Sequence, residues 1–292
     1  MQRIVPNLWF DHKAAEATDF YLGVFPDARR IDTKRYPTEG LLDFQQELAG
    51  DVLYEELEIR GYRLIAINAG DEVTPNPSIS FMLTFDETER DLLDGVYAAL
   101  SEGGQVLMAL DTYEFNSHYG WVSDRYGISW QLFLGSPNGQ KRPFIMPSLL
   151  FTEAVRKRAE EAITYYTSVF SGEVGTIARY PEDGDSPVAG GVMYGDFQLL
   201  DQWFAAMDSG FEHGFTFNFG VSLMVSCTDQ DELDRWWSQL SHVPEAEQCG
   251  WCADQFGVSW QLVPADLEQI MSKPGAYAKL MGMKKIEIAA FG

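Results

Sequence analysis

Residues 120–135 read GWVSDRYGISWQLFLG and residues 250–265 read GWCADQFGVSWQLVPA. Gly, Trp, Asp, Gly, Ser, Trp, Gln and Leu recur in the same columns, and Tyr126/Phe256 and Ile128/Val258 exchange like for like. So dense a match between two parts of one chain marks an internal duplication, and the fold has to be read as copies of one unit.

Working outward, each copy closes the same longer pattern. Residues 4–10 alternate and are rich in strand formers. Asp11 stands where a helix cap belongs, and Ala14, Ala17, Phe20, Tyr21, Val24 and Phe25 then recur at helical spacing. Strand-like runs follow at 29–36, 52–59 and 62–69. The pattern restarts with a strand at 78–85, a capping-box-like Asp86-Glu87-Thr88-Glu89, a helical stripe of Leu92, Leu93, Val96, Tyr97 and Leu100, and strands at 105–110, 120–124 and 128–134. The turn-rich stretch 136–143 reads as a linker. Beyond it the plan repeats, with a strand at 144–151, a helix over 152–170, and strands near 175–180, 188–194 and 197–203. The last module has a strand at 221–226, a helix carrying Leu233, Trp236, Trp237 and Leu240, and strands at 249–254 and 258–263. A helical tail over 266–283 ends the chain. The expected organisation is therefore one domain at 1–137, a linker at 138–143 and a second domain with its tail at 144–292, an intrachain pseudo-dimer that leaves room for a homodimer.

The bulk composition narrows the function. Hydrophobic residues make up 46% and aromatics 14% of 292 residues, enough for each half to build a core. The net charge of −23 argues against nucleic acid as a partner, since phosphates call for a basic footprint, and against an anionic membrane surface. The opening MQRIVPNLWF lacks the long apolar stretch of a targeting or spanning segment, and three cysteines imply no disulfide framework, so a cytoplasmic location is expected.

Taken together, IVPNLWFD at 4–11, Phe20-Tyr21 with Phe25, NPSISF at 76–81 and the G-W-x-x-D-x-[FY]-G-x-S-W-Q-L motif resemble the vicinal oxygen chelate superfamily of glyoxalases, bleomycin-resistance proteins and extradiol dioxygenases. The similarity lies with its PhnB-like branch, labelled 3-demethylubiquinone-9 3-methyltransferase. PSLLF at 147–151, Tyr165-Tyr166 with Phe170, CGWCAD at 249–254 and the ending MGMKKIEI match as well. The resemblance implies an α+β fold in which four βαβββ modules form tandem glyoxalase-like barrels, each around a cavity.

Enzymes of that superfamily hold a divalent metal through His and Glu on the first, fifth and last strands of the barrel. Here residues 4–9, 76–83, 144–150 and 217–225 hold no His or carboxylate, and Gln131 and Gln261 stand where the last strand usually offers Glu. A neutral amide is a poor ligand for a divalent cation, so no metal is expected in either barrel. The C-x-x-C at Cys249 and Cys252 falls in a strand, where residues three apart face opposite ways, and reads as structural. No phosphate-binding or adenosyl-binding glycine loop occurs, so no cofactor is expected and the methyltransferase label finds no support in the residues.

In relatives the last-strand position faces the cavity. Strand alternation then puts Ser129 on the face of Gln131, and Trp130 opposite, under the helices. Ser80 and Met82, with Asn7 and Trp9 on the first strand, complete the first cavity. Ser148, Ser222, Met224, Ser259 and Gln261 line the second. Asp201 and Trp203, aligned with Ile67 and Ala69 of the first half, are added as a point of divergence. Asp124 and Asp254 are expected to shape the turn before the last strand. Catalytic residues are not identified. Cavities lined by Ser, Asn, Gln, Met and Trp suit a small, neutral, partly aromatic ligand, so the first reading is a small-molecule binder. The second is a superfamily enzyme, a lyase, dioxygenase or transferase, including the labelled methyltransferase.

Overall fold

The computed structural model describes residues 2–41, 43–136, 140–183 and 186–292; residues 137–139 of the linker lie outside the described residues. Four modules follow one another. The first is β1 (Ile4–Phe10), α1 (Ala14–Val24), β2 (Ala28–Arg35), β3 (Val52–Ile59) and β4 (Tyr62–Asn68). The second is β5 (Ile79–Phe85), α2 (Arg90–Ser101), β6 (Gln105–Tyr113), β7 (Asn116–Ser123) and β8 (Ser129–Leu134). The third is β9 (Ile145–Phe151), α3 (Ala159–Val169), β10 (Glu173–Arg179), β11 (Val192–Leu199) and β12 (Gln202–Asp208). The fourth is β13 (Val221–Cys227), α4 (Gln230–Leu240), β14 (Trp251–Ala253) and β15 (Ser259–Pro264), and the tail forms α5 (Leu267–Met271) and α6 (Ala276–Met281). Within each module the first and last strands lie side by side in parallel.

The sheets do not follow the halves of the sequence. An eight-stranded sheet runs β10-β11-β12-β9-β5-β8-β7-β6, and a seven-stranded sheet runs β14-β15-β13-β1-β4-β3-β2. Modules two and three thus share one sheet, joined by antiparallel β5 and β9 with Ser80 opposite Ser148. Modules one and four share the other, joined by β1 and β13 with Asn7 opposite Ser222. The compact units agree: Met1–Phe20, Ala28–Val73 and Phe219–Gly292 form one, Tyr21–Asp27 and Thr74–Asn218 the other. The physical reason lies in the open edge of each first strand, whose backbone groups need a partner. For β5 that partner is β9, which pairs with it antiparallel. The expectation that Asn7 and Trp9 share a barrel with Ser80 and Gln131, and Ser148 one with Ser222 and Gln261, is corrected accordingly, because Asn7 and Trp9 lie on the seven-stranded sheet with Ser222 and Gln261, and Ser148 on the eight-stranded sheet with Ser80 and Gln131.

Two further boundaries differ. Strands expected at 188–194 and 197–203 lie at Val192–Leu199 and Gln202–Asp208. Their hairpin turns on Leu200 and Asp201, with φ of 48° and 64°. Two left-handed residues make the hairpin turn that Asn-Gly usually announces, and Leu-Asp gives no such signal. The matching turn in module one uses Arg60 and Gly61, at 47° and 82°, and is legible because of its glycine. The alignment of Asp201 with Ile67 fails with the shift. By strand position Asp208 matches Asn68, and both side chains accept from the first helical N–H of their module, Ala159 and Ala14. The fourth module also lacks a strand between α4 and β14, which leaves seven strands in its sheet.

The duplicated motif is explained by one carboxylate. Asp124 accepts from the N–H groups of Tyr126 and Ile128 at 2.8 and 3.1 Å, from the Trp130 indole at 2.8 Å and from the Tyr21 hydroxyl at 2.8 Å. Asp254 accepts from Phe256, Val258 and the Trp260 indole at 2.8, 3.1 and 2.8 Å. Gly127 and Gly257 take φ of 85° and 90°, which the tight turn requires and a side chain resists. Each Asp therefore fastens the turn, as the sequence suggests, and also pins the following Trp into the core. Trp130 is fully buried against Tyr21, Phe25 and Phe81 on the helix side of its sheet. Replacing Asp124 by Ala orphans an indole and a phenol in the core. We expect Asp124→Ala to cost about 3 kcal/mol, read as a fall in urea midpoint, whereas Arg125→Ala on the exposed side of the turn leaves the midpoint nearly unchanged.

Candidate functional site

On the eight-stranded sheet, the face away from the helices gathers Met82, Tyr119, Phe133, Met146 and Ala205 into one cluster, flanked by Met108, Tyr113, Trp121, Tyr194 and Trp203. Register explains the gathering. Ser80 and Met82 on β5 pair with Ser129 and Gln131 on β8 and with Ser148 and Met146 on β9. Trp121 and Tyr119 on β7 pair with Gln131 and Phe133, and Ser148 pairs with Ala205 on β12. Polar groups run through the middle of this apolar face. Gln131 donates to the Ser80 hydroxyl at 2.7 Å and accepts from the Tyr119 hydroxyl at 2.9 Å, and the Trp121 indole donates to Ser129 at 2.8 Å. Burial pushes the Tyr119 phenol far above its ordinary value, so it stays a neutral donor. Ser148 is fully buried and its hydroxyl finds no partner among the described residues. At the rim Phe115 stacks on Tyr113 and is 59% exposed.

One charged pair enters this face. Arg142 comes from the linker and sits 3.8 Å over the Trp203 ring, with its guanidinium 2.7 Å from Asp196, and both charged side chains are buried. Asp196 also accepts from the Thr176 N–H at 2.7 Å and from the Tyr194 hydroxyl at 3.1 Å. A buried charge persists only when paired and hydrogen-bonded in this way.

On the seven-stranded sheet the matching face carries Asn7, Trp9, Ser222, Met224, Ser259 and Gln261. Asn7 donates to the Gln261 side chain at 3.1 Å, while its own carbonyl oxygen is buried without a partner among the described residues. The Trp251 indole donates to Ser222 at 3.3 Å. The Trp9 indole donates to the Gly70 carbonyl at 2.9 Å, and its ring meets Phe219 edge-on at 5.2 Å. Here Glu56 stands at the ladder position of Asp196, and it pairs with Arg63, the counterpart of Trp203. The two units thus place an acid at the same position and neutralise it with guanidinium groups from different parts of the chain.

The tail makes contacts within its own unit. Glu268 pairs with Lys34 at 2.5 Å, Tyr277 meets Tyr36 edge-on at 6.4 Å, and the carbonyls of Met283 and Lys284 accept from the N–H groups of Cys249 and Gly250 at 2.8 Å. It spans from β2 to the β14 edge, the edge left bare by the missing strand.

Of the expected site residues, Ser80, Met82, Ser129, Gln131, Ser148 and Trp203 meet on one face, and Asn7, Trp9, Ser222, Met224, Ser259 and Gln261 on the other. Asp201 joins neither, since it is exposed in a hairpin turn. Sequence reasoning missed Tyr119, Trp121, Arg142, Tyr194 and Asp196; counting alternation back from Gln131 across the hairpin would have found the first two. Cys249 and Cys252 are buried, and burial pushes the Cys249 thiol up to about 11 and Cys252 higher, the reverse of what a redox pair needs. No three His, Cys, Asp or Glu side chains converge among the described residues. The strands on which the resemblance would place metal ligands hold amide and hydroxyl groups, a neutral donor set that lacks the imidazole, thiolate and carboxylate a zinc or iron site draws on.

The family model described as 3-demethylubiquinone-9 3-methyltransferase matches residues 2–133 and 143–263. The chain belongs to this family. It is similar over 96% of its length to glyoxalase I from Zea mays, at 11% identity, 97% coverage of that chain and a TM-score of 0.55, a likeness of fold. A PhnB protein from Bacillus cereus described as a putative 3-demethylubiquinone-9 3-methyltransferase is 29% identical, covering 46% of this chain and 100% of its own, with a TM-score of 0.40. A fosfomycin resistance protein from Listeria monocytogenes is 14% identical over 44% of this chain and 86% of its own, with a TM-score of 0.32. Among curated proteins no match is found. No helix among the described residues is long and apolar enough to cross a membrane.

The tail's role can be tested through Cys249, whose sulfur lies 3.6 Å from the Met281 sulfur. A chain ended after Ala265 exposes that thiol. We expect it to react with a thiol reagent more than about ten-fold faster than the full chain, as exposure governs thiol reactivity, while Cys227 stays inert.

Proposed function

We propose that this chain is a metal-free small-molecule binding protein whose ligand meets the face of the eight-stranded sheet turned away from the helices, through the partly exposed Trp121 and Trp203 and the buried Met82, Tyr119 and Gln131 behind them. The observation that carries this reading is the joining of Tyr, Trp, Phe and Met side chains on one face around a neutral hydrogen-bonded line of Ser80, Gln131 and Tyr119. Such a surface favours a flat, uncharged ring system with one or two carbonyl or hydroxyl groups. The substrate in the family's description, a demethylubiquinone, has that chemistry. The charges of Arg142 and Asp196 cancel within the protein and leave no net charge to select an ionic ligand. The net charge of −23 argues against nucleic acid or an anionic membrane as partner. The seven-stranded unit, whose sheet ends are bridged by the tail, serves as the brace.

A short-chain ubiquinone titrated against the full chain tests this. We expect quenching of Trp fluorescence, and Trp203→Ala to weaken binding by about 1–3 kcal/mol, the scale of a lost buried aromatic contact. Trp9→Ala should leave affinity unchanged, and equal losses from both variants would move the site away from the proposed face. Elemental analysis of the purified chain should find Zn, Fe, Mn and Ni far below one per chain; a stoichiometric metal lost on Gln131→Ala would overturn the metal-free reading.

A further inference from the structure

Where β9 and β12 end together, the segments that follow them meet. The Ser209 N–H donates to the Phe151 carbonyl at 3.0 Å, placing Ser209 directly after the parallel pair. The Ser209 hydroxyl lies 2.6 Å from Nε2 of His213, and the Phe211 N–H donates back to it at 3.3 Å. His213 is fixed from its main chain: a Glu153 carboxylate oxygen accepts from the N–H groups of His213 and Gly214 at 3.0 and 3.2 Å. Its ring packs against Phe215 at 4.9 Å between centroids. Arg156 reaches over the same turn, donating to the Phe211 carbonyl at 3.1 Å, while its Nε–H is buried without an acceptor among the described residues. The fold does not ask for these groups. In module one the place of Ser209 belongs to Ala69, whose N–H makes the same bond to the Phe10 carbonyl at 3.1 Å.

We propose that Ser209 and His213 form a nucleophile–base pair that hydrolyses small carboxylic esters, with Arg156 facing the oxyanion. A serine within hydrogen-bond reach of an imidazole that a third group holds in place is the arrangement that activates a hydroxyl. Burial lowers the proton affinity of His213 below its ordinary value; Arg156 acts in the same direction and Glu153 opposes them, so the ring is neutral and able to accept at pH 7. In the first step the Ser209 oxygen bonds to the ester carbonyl carbon and its proton passes to His213 Nε2. The negative oxygen so formed is stabilised by the positive charge of the Arg156 guanidinium. Collapse breaks the ester C–O bond, and the leaving alkoxide takes the proton from His213 to depart as alcohol. Water then attacks the acyl-serine, giving its proton to His213; the carboxylic acid leaves and the proton returns to Ser209. Phe211, 78% exposed, stands beside the pair and selects an apolar acyl group.

The test is labelling of the full chain with a fluorophosphonate probe, mapped by mass spectrometry, alongside turnover of p-nitrophenyl butyrate. The expected result is probe on Ser209, loss of label and turnover in Ser209→Ala, and labelling slowed roughly a hundred-fold in His213→Gln, the scale of a lost general base. The labelling rate should rise with pH as His213 deprotonates and level off above it. Mapping in the unaltered chain needs no folded variant: no probe on Ser209, under conditions that label a known serine esterase, overturns the proposal. So does labelling that His213→Gln fails to slow, or turnover unchanged in Ser209→Ala.

Discussion

The open edge of a module's first strand is the constraint on which this architecture rests. Parallel pairing with the last strand of the same module satisfies one side of it and leaves the other side needing a partner. Four modules offer four such edges, and the chain closes them in pairs, β5 with β9 and β1 with β13. Those antiparallel seams put Ser80 against Ser148 and Asn7 against Ser222 in the middle of each sheet. The seam that completes the sheet therefore also assembles its polar centre, and each face carries side chains from two modules.

The two faces then diverge on one chemical theme. Both hold an acid on the second strand from the edge of one arm, and both neutralise it. Arg63 does so locally in the seven-stranded unit. In the other unit a tryptophan stands at that strand position, and the linker sends in Arg142 to lie on its ring and reach Asp196. An arginine is suited to this exchange because its planar head stacks and forks at once. The outcome is a face richer in aromatic surface with its charge balance unchanged.

Much of this was legible in the sequence. The duplicated motif and the module order follow from spacing, while the inward face of Gln131 is what the resemblance implies, carried by alternation to Ser129 and away from Trp130. The turn role of Asp124 follows from its place before a glycine, and Trp130 lies under the helices as its parity requires. What the sequence hid was non-local. Nothing in residues 4–10 says which of two equivalent strands will lie beside them, so Trp9 was grouped with the wrong serine. Leu200-Asp201 carries no turn signature, and the misplaced hairpin made an exposed Asp201 look like a cavity residue. Arg142 lies in an irregular stretch, where periodicity has nothing to say.

The pairing of module one with module four has a consequence for the order in which the chain matures. Thr74–Asn218 is one uninterrupted stretch, and with Tyr21–Asp27, which precedes it, makes a complete unit. On the ribosome that unit can condense as soon as it clears the exit tunnel. Its companion cannot, because the register of Ile4 with Val225 closes a loop over most of the chain. Until Phe219–Gly292 emerges, IVPNLWF has a bare apolar edge of the kind that recruits neighbouring chains. Pro6, which has no N–H to offer a stranger, sits in the middle of it.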